Sequence, residues 1–174
     1  NSQSGKSGSA WLIEQNHGLK LPRALQQDFS QHVQQETDRH GKEMTQNALW
    51  QLFRTRYGLV ATPPLALQSY RSDGQQDGQL RWTASICTQG GTRQLEGQGN
   101  GLLSAAAQGL SRWVNAPFVI KDYHEHSLGE RSDSRSVAYI RCLFQDGSSR
   151  WGVGIDSDVS RASLQALFNA VSCL

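Results

Sequence analysis

Apolar residues follow two different periods along this chain, and the change marks a predicted boundary at Pro63-Pro64. Upstream, apolar residues recur every four positions within 22–41, which predicts an amphipathic helix that begins at Pro22 and ends at Gly41; they are Leu25, Phe29 and Val33. A second helix is predicted between Thr45, a good capping residue, and Gly58. Its apolar residues are Leu49, Leu52, Phe53 and Tyr57.

The first part of the chain, residues 1–62, is predicted to be a linker with these two short helices. Residues 1–9 are rich in Ser and Gly and predict a flexible stretch. A short strand is predicted over 10–14. Two small helices bury too little surface to be stable alone. The second part of the chain is residues 63–174.

Downstream of the boundary, apolar and polar residues alternate strictly over 80–86. This alternation predicts an antiparallel strand with one buried face, which helices should cover. Neighbouring strands are predicted over 65–71 and 92–97, with turns at Asp73-Gly74 and Gly90-Gly91. An Ala- and Leu-rich helix follows.

The same order of elements then appears a second time. Strands are predicted over 118–127, 136–144 and 150–155, with a turn at Asp146-Gly147 and a helix over 157–172. The fold class is therefore α+β, with two strand-strand-strand-helix units at about 63–115 and 116–174. A unit this short leaves a sheet face to cover, so we expect a two-fold homodimer in which both units contribute to the interface.

Composition and charge restrict the class of protein. The chain has 174 residues, of which 37% are hydrophobic and 18% charged, enough for a core of ordinary size. A formal charge of +2, with no basic run among aromatic residues, argues against nucleic acid as a partner. No apolar stretch reaches membrane-spanning length and no signal peptide is visible, so no membrane partner and a cytoplasmic location are expected.

Few residues indicate reaction chemistry. Residues two apart on a strand point the same way, so His124-Glu125-His126 has the form of a metal pair. No third ligand is indicated, and the simpler interpretation places both histidines near the subunit surface, on the face that carries Phe118 and Ile120. Asp156 and Asp158 flank a helix start and are expected to serve as a cap and a partner of the helix dipole, not as catalytic carboxylates. Cys87, Cys142 and Cys173 lack disulfide or zinc spacing and are expected to be reduced thiols.

Two Gly-x-Gly pairs, Gly97 with Gly99 and Gly152 with Gly154, each close a strand before a helix. A glycine-rich turn at a helix start leaves backbone N–H groups free to bind an anion, and a small carboxylate is the better candidate. The surrounding strands look antiparallel, which argues against a dinucleotide-binding fold. The alternative is that the glycines only permit a tight turn from strand to helix.

Several motifs in order carry a family resemblance. Residues 97–101 (GQGNG), 122–129 (DYHEHSLG) and 152–158 (GVGIDSD) with 162–167 (ASLQAL) together resemble the C-terminal regulatory domain of 2-isopropylmalate synthases. Leu21-Pro22-Arg23 with 27–30 is similar to the helical linker before that domain. The resemblance covers nearly the whole chain.

The resemblance implies a regulatory, dimer-forming domain that binds the end product L-leucine between its two units for feedback inhibition. The family condenses acetyl-CoA with 3-methyl-2-oxobutanoate in a metal-dependent barrel, which would precede this segment in the polypeptide. Nothing in the chain resembles the barrel's motifs, so a divalent metal is expected only in the barrel, no cofactor is expected in this chain, and the chain alone is expected to be inactive.

Effector binding is expected at the turn before the first unit's helix. A free amino acid needs a helix N-terminus for its carboxylate, acceptors for its ammonium and an apolar wall. The expected residues are Gly99, Asn100, Gly101, Leu102, Ala105, Asp133, Val137 and Asp156, with Ala106 as a further wall.

The sequence departs from the family pattern at this turn and in one loop. Leu102 and Ser104 replace a usual proline and aspartate, and the small-residue loop reads ERSDS over 130–134. Two alternatives stay open: a dimerisation module without effector binding, and the regulatory domain of a related acyltransferase such as citramalate synthase.

Overall fold

A computed structural model of the protein describes residues 8–129 and 134–172. Three helices come first, and two units of three strands and one helix follow, which confirms the predicted α+β class and the duplication. The elements are α1 Gly8–His17, α2 Arg23–His40, α3 Gln46–Tyr57, β1 Leu65–Gly74, β2 Leu80–Thr88, β3 Gly91–Gly99, α4 Leu102–Val114, β4 Phe118–Ser127, β5 Ser136–Phe144, β6 Ser149–Asp156 and α5 Val159–Val171.

Each unit forms its own antiparallel sheet, in the order β1-β2-β3 and β4-β5-β6. The first strand of each sheet carries a bulge at the corresponding place. The pairing with the middle strand shifts between Leu67 and Ser69 in β1, and between Ile120 and Asp122 in β4. Since an extra residue moves all later side chains to the opposite face, both strands change their buried side midway.

The two units share one core, formed where α4 and α5 pack against each other and on the sheets. Trp82, Ala84 and Ile86 are buried there, so helices cover the alternating strand as predicted. Trp82 packs edge to face on Phe168 of α5, with ring centroids 6.3 Å apart. The side of each sheet that faces α4 and α5 is therefore covered from within the pair of units.

The Gly-x-Gly pairs lie where the third strand of each unit passes under its helix. A Cβ on Gly97 would lie 2.0 Å from the carbonyl oxygen of Ala105, and a Cβ on Gly152 would lie 2.1 Å from that of Ala166. Neither glycine has a positive φ. The interpretation that they permit a tight turn is therefore wrong, because what requires glycine is the close contact between helix and strand.

The three N-terminal helices cover the outer face of the second sheet only. Val137 and Tyr139 of β5, with Trp151 and Val153 of β6, are buried there. Their helical partners are Ala10, Ile13, Leu25, Phe29, Phe53 and Tyr57. The outer face of the first sheet is polar, with an exposed ion pair between Arg81 and Glu96 (2.8 Å), so it needs no cover.

The prediction of a short strand over 10–14 is wrong, because these residues belong to α1. Ala10 and Ile13 are both buried against the other helices, and their three-residue spacing places them on one helical face. The segment before Pro63 thus holds three helices where two were predicted. Of the predicted flexible stretch, Gly8 and Ser9 are helical, and residues 1–7 lie outside the described part.

The predicted helices and most predicted turns are confirmed. Gly41 and Gly58 end α2 and α3 in the left-handed conformation, and the Thr45 hydroxyl accepts the Ala48 N–H. The turn at Asp73-Gly74 is wrong, because both residues continue β1 and the chain reverses over 75–78, with Gly78 at φ 82°. Among the described residues, none of the helices has the length and apolarity needed to cross a bilayer.

We expect Cys142 to resist thiol reagents that label Cys87. Cys142 is buried on β5, and burial raises the pKa of its thiol to about 12, whereas Cys87 is partly exposed. Because the thiolate is the reactive form, iodoacetamide should alkylate Cys87 in the native protein and Cys142 only after unfolding in urea. Peptide mass spectrometry would measure both, and equal labelling without urea would contradict the burial of Cys142.

The raised pKa of Cys142 also makes the free energy of unfolding depend on pH. The Cys142 thiol stays neutral in the folded state while the unfolded chain ionises it above about pH 8.5. Its contribution to folding is therefore present below that pH and is lost as pH rises toward 12.

Candidate effector site

The turn from Gly99 to Leu102 leaves the start of α4 open to an anion. Gly101 is the N-cap, in an extended conformation (φ −154°, ψ −176°), and has no side chain to cap the helix. The first turn carries no acidic residue, and its N–H groups have no partner four residues back. The first turn of α4 therefore supplies no carboxylate to compensate the positive end of its helix dipole.

The corresponding start of α5 already holds carboxylates. Asp158 accepts the Ser160 N–H at 2.9 Å, and Asp156 accepts the Asp158 N–H at 2.9 Å. The expectation of a helix cap is confirmed for Asp158, while Asp156 binds the backbone of the N-cap residue. The two helix starts differ, therefore, in that the second is neutralised by its own side chains and the first is not.

The polar groups around the first turn are partly occupied. The Ser104 hydroxyl accepts the Gly101 N–H at 3.0 Å and donates to the Gly101 carbonyl at 3.1 Å. The Asn100 side-chain oxygen accepts from the Gln79 amide at 2.8 Å. A carbonyl oxygen has two lone pairs, so Asn100 retains capacity for one further donor.

The expected wall residues fall in different places. Leu102 is half-buried against the shared core, and Ala105 and Ala106 are fully buried in it. Val137 is also fully buried, but it faces the N-terminal helices on the opposite side of the second sheet. Gly99, Asn100, Gly101 and Leu102 thus share one turn above Ala105, while Val137 belongs to another packed cluster.

The two expected aspartates do not join that turn in the described structure. Asp156 lies at the corresponding turn of the second unit, where it accepts from the Gln165 amide at 3.1 Å and lies 4.0 Å from the Arg161 guanidinium. Asp133 lies outside the described residues. Within the described part of the chain, Asn100 and backbone carbonyls are the candidate acceptors for an ammonium group near α4.

Each helix also reaches the first strand of the other unit, which places the turns at the boundary between units. α4 contacts β4, and α5 contacts β1. The Arg161 guanidinium lies 3.4 Å from the Leu67 carbonyl oxygen and 3.3 Å from that of Gln68. A molecule bound at a helix start would therefore lie close to both units.

The two histidines of the His-Glu-His motif face the N-terminal helices. The expectation that they share a face with Phe118 and Ile120 is wrong, because the bulge after Ile120 reverses the alternation. His126 Nε2 lies 2.7 Å from the Tyr139 hydroxyl and accepts the Lys20 N–H at 3.2 Å. Within residues 8–129 and 134–172, no cluster of three or more His, Cys, Asp or Glu could hold a metal ion.

The bulge places Tyr123 and Glu125 on the opposite face of β4, toward α5. Sequence reasoning missed this cluster. The Tyr123 hydroxyl bonds to the Glu125 carboxylate and lies 2.8 Å from the Ser163 hydroxyl of α5. Partial burial, and then the bond to Glu125, raise the pKa of Tyr123. The ring is nevertheless 38% exposed. The signal for this cluster in the sequence was the alternation of Tyr and Glu with His along β4.

Comparison with known proteins agrees with these features. The family model of the LeuA allosteric (dimerisation) domain matches residues 43–174, from just before α3 to the end of the second unit. The 2-isopropylmalate synthases of Marinomonas sp. (strain MWYL1), Pseudomonas syringae pv. tomato (strain ATCC BAA-871 / DC3000) and Thermobifida fusca (strain YX) are 45%, 41% and 37% identical over 172 residues.

These matches cover 98%, 99% and 99% of this chain, but the chain spans only 31%, 30% and 30% of the length of those relatives. The resemblance stated from the motifs is thereby confirmed over both units and α3. With the duplicated fold and a match over three quarters of its length, the chain belongs to the LeuA allosteric (dimerisation) domain family.

Proposed function

We propose that this chain is the regulatory and dimerisation domain of a 2-isopropylmalate synthase and that it binds L-leucine for feedback inhibition. The parent protein would condense acetyl-CoA with 3-methyl-2-oxobutanoate in a separate catalytic barrel of the same polypeptide. The chain alone would bind effector and its own copy, without catalysing the reaction.

One observation carries the effector site: α4 starts without a carboxylate, whereas α5 is capped by Asp158. The leucine carboxylate would take the place at α4 that Asp158 takes at α5. It would accept the first-turn N–H groups, whose partial positive charge favours an anion.

The ammonium group of leucine needs hydrogen-bond acceptors, and its isobutyl chain needs an apolar wall. Asn100 and the carbonyls beside it would accept from the ammonium group, and Leu102 would contact the isobutyl chain. Asn100 is exposed and Leu102 is half-buried in the single chain. A ligand of this size is normally enclosed, so the second unit or the second subunit would complete the pocket.

Leucine should stabilise the folded protein. A ligand at a hundredfold excess over its dissociation constant contributes about 2.7 kcal/mol per site, equivalent to a rise in Tm of about 5–10 °C for a chain of this size. Isoleucine and valine should give smaller shifts, because a changed branch or a missing methylene is discriminated by roughly 1–3 kcal/mol. Calorimetry and thermal unfolding measure both effects, and absence of heat with leucine would contradict the effector role.

The chain should also sediment as a dimer. The family description includes dimerisation, and large apolar side chains such as Trp113 and Val119 are exposed in the single chain. Analytical ultracentrifugation at micromolar concentration, with and without leucine, measures this directly. A monomer at all concentrations tested would contradict the dimerisation role, and calorimetry with leucine tests effector binding separately.

A specific contact favours dimerisation without effector as the second candidate. Ser104, which stands where the resembled family usually has an aspartate, already accepts the Gly101 N–H at 3.0 Å. One donor of the turn is therefore used by the chain itself. A dimer that shows no heat and no thermal shift with leucine, isoleucine or valine would support this candidate.

A further inference from the structure

A cavity lies where the N-terminal helices meet both units, apart from the α4 turn. Its volume is about 510 Å³, within the range of small-molecule sites. The walls come from α3 and the loop after it, from β1, and from β6 and α5. The lining residues used below are Arg54, Leu65, Arg135, Ile155, Gln165 and Phe168, and we refer to this space as the junction cavity.

The charged groups of the junction cavity are all cationic. Arg54 is held in place, since its Nε donates to the Leu59 carbonyl at 3.0 Å and its Nη1 to the Gln51 side chain at 3.3 Å. Neither contact neutralises its charge. Arg135 is exposed and forms no ion pair with any carboxylate in the described part of the chain. Two arginines thus line one cavity, and no carboxylate of the described residues forms an ion pair with either of them.

Among residues 8–129 and 134–172, no acidic residue lines the junction cavity. The carboxylate that comes near is Asp156, but its oxygens already accept from Gln165 and from the Asp158 backbone. An ammonium group would therefore find cations and no free carboxylate, which disfavours an amino acid. A carboxylate would find guanidinium donors that recognise it well.

Apart from the two arginines, Gln165 and Asn169, the described residues of the wall are apolar or glycine. Leu65 is 5% and Phe168 1% exposed, and both belong to the core shared by the two units. Ile155 is partly buried against the cluster under the N-terminal helices. A short hydrocarbon chain placed here would lose its contact with water against a surface that is already packed.

We propose that the junction cavity binds a small aliphatic carboxylic acid that lacks an ammonium group. The acid's carboxylate lies between Arg54 and Arg135, and its hydrocarbon part contacts Leu65, Ile155 and Phe168. This site is separate from the leucine site at α4 and does not depend on it. Because the walls of the cavity belong to the N-terminal helices and to both units, the bound acid contacts all three parts of the fold.

The probe that tests this assignment is 4-methylpentanoate, which is leucine without its ammonium group. It should bind with a dissociation constant of about 1 mM, typical of so small a ligand. NMR chemical shifts should change at Leu65, Ile155 and Phe168 and not at residues 99–102. The amine 3-methylbutan-1-amine, which lacks the carboxylate, should not shift these signals.

Arg135→Gln should weaken binding of 4-methylpentanoate about tenfold, because a charge-assisted hydrogen bond is lost. Arg56→Gln is the matched control: Arg56 is exposed on α3 and does not line the cavity, so affinity should not change. Leucine binding at α4 should be the same in both variants, which keeps this test independent of the proposed function.

Three results would overturn the assignment. They are shifts confined to the α4 turn, equal affinity in Arg135→Gln and the unmodified protein, and no shift at a probe concentration of about 10 mM, ten times the expected dissociation constant.

Discussion

Gly101→Asp should remove leucine binding and leave the fold intact. The new carboxylate would accept the first-turn N–H groups of α4, as Asp158 does in α5, and would occupy and repel the position proposed for the ligand's carboxylate. Gly101 is extended, and a Cβ there meets no atom within 4 Å, so the substitution introduces neither strain nor collision. We expect leucine affinity to fall about a hundredfold, since the ligand loses charge-assisted hydrogen bonds.

Gly101→Asn is the matched control for this experiment. Asparagine caps a helix about as well as aspartate but carries no charge, so its affinity for leucine should lie between those of the unmodified protein and Gly101→Asp. Isothermal titration calorimetry gives the affinities, and circular dichroism confirms that each variant is folded. Unchanged leucine affinity in a folded Gly101→Asp protein would exclude this turn from the site.

Gly97→Ala should destabilise the protein by about 3 kcal/mol. The added Cβ would lie 2.0 Å from the Ala105 carbonyl oxygen and 2.8 Å from the Gly109 nitrogen, so the helix has to move off the strand. Alanine gains at most about 1 kcal/mol over glycine through the reduced entropy of the unfolded chain, which is too little to offset the collision. Tm should fall by about 6–12 °C.

Gly74→Ala provides the comparison, because Gly74 also lies in a strand and a Cβ there meets nothing within 4 Å. Its Tm should stay within a few degrees of the unmodified protein. All variants must be compared at one protein concentration, since the stability of a dimer depends on it. A Gly97→Ala protein as stable as Gly74→Ala would refute the close-contact explanation of the Gly-x-Gly pairs.

Much of the fold follows from local patterns in the sequence. The ends of α2 and α3 depend on Gly41 and Gly58, and the turn at Asp146-Gly147 depends on a glycine at φ 90°. Glycine adopts these positive-φ conformations readily and other residues rarely do, so the sequence predicts them locally. The prediction of a strand over 10–14 is wrong because five residues are too few to distinguish the period of a strand from that of a helix. The helical structure depends on the packing of Ala10 and Ile13 against other helices.

The side of a strand that each residue faces was harder to predict. A bulge adds one residue without a mark in the sequence, so the histidines of β4 were placed on the wrong face. Val137 illustrates a related difficulty: β5 is apolar on both sides, and alternation cannot tell which buried face holds which residue.

The candidate effector site was predictable only where it is local. Gly99 to Leu102 are consecutive and necessarily lie together, and their place before a helix follows from the glycines and the Ala- and Leu-rich run. Whether Asp156 or Val137 approaches them depends on how the two units pack, which periodicity does not encode. The junction cavity is likewise invisible in the sequence, because Arg54, Arg135 and Phe168 are brought together only by tertiary contacts.

The paired bulges in β1 and β4 carry information about the origin of the fold. Both interrupt the first strand of their unit at the corresponding step, between Leu67 and Ser69 and between Ile120 and Asp122. Inheritance from one ancestral strand accounts for both with a single event. Such an ancestor would be one strand-strand-strand-helix unit that already had the bulge, and two separate copies of it would bury their helices against each other as α4 and α5 do within one chain.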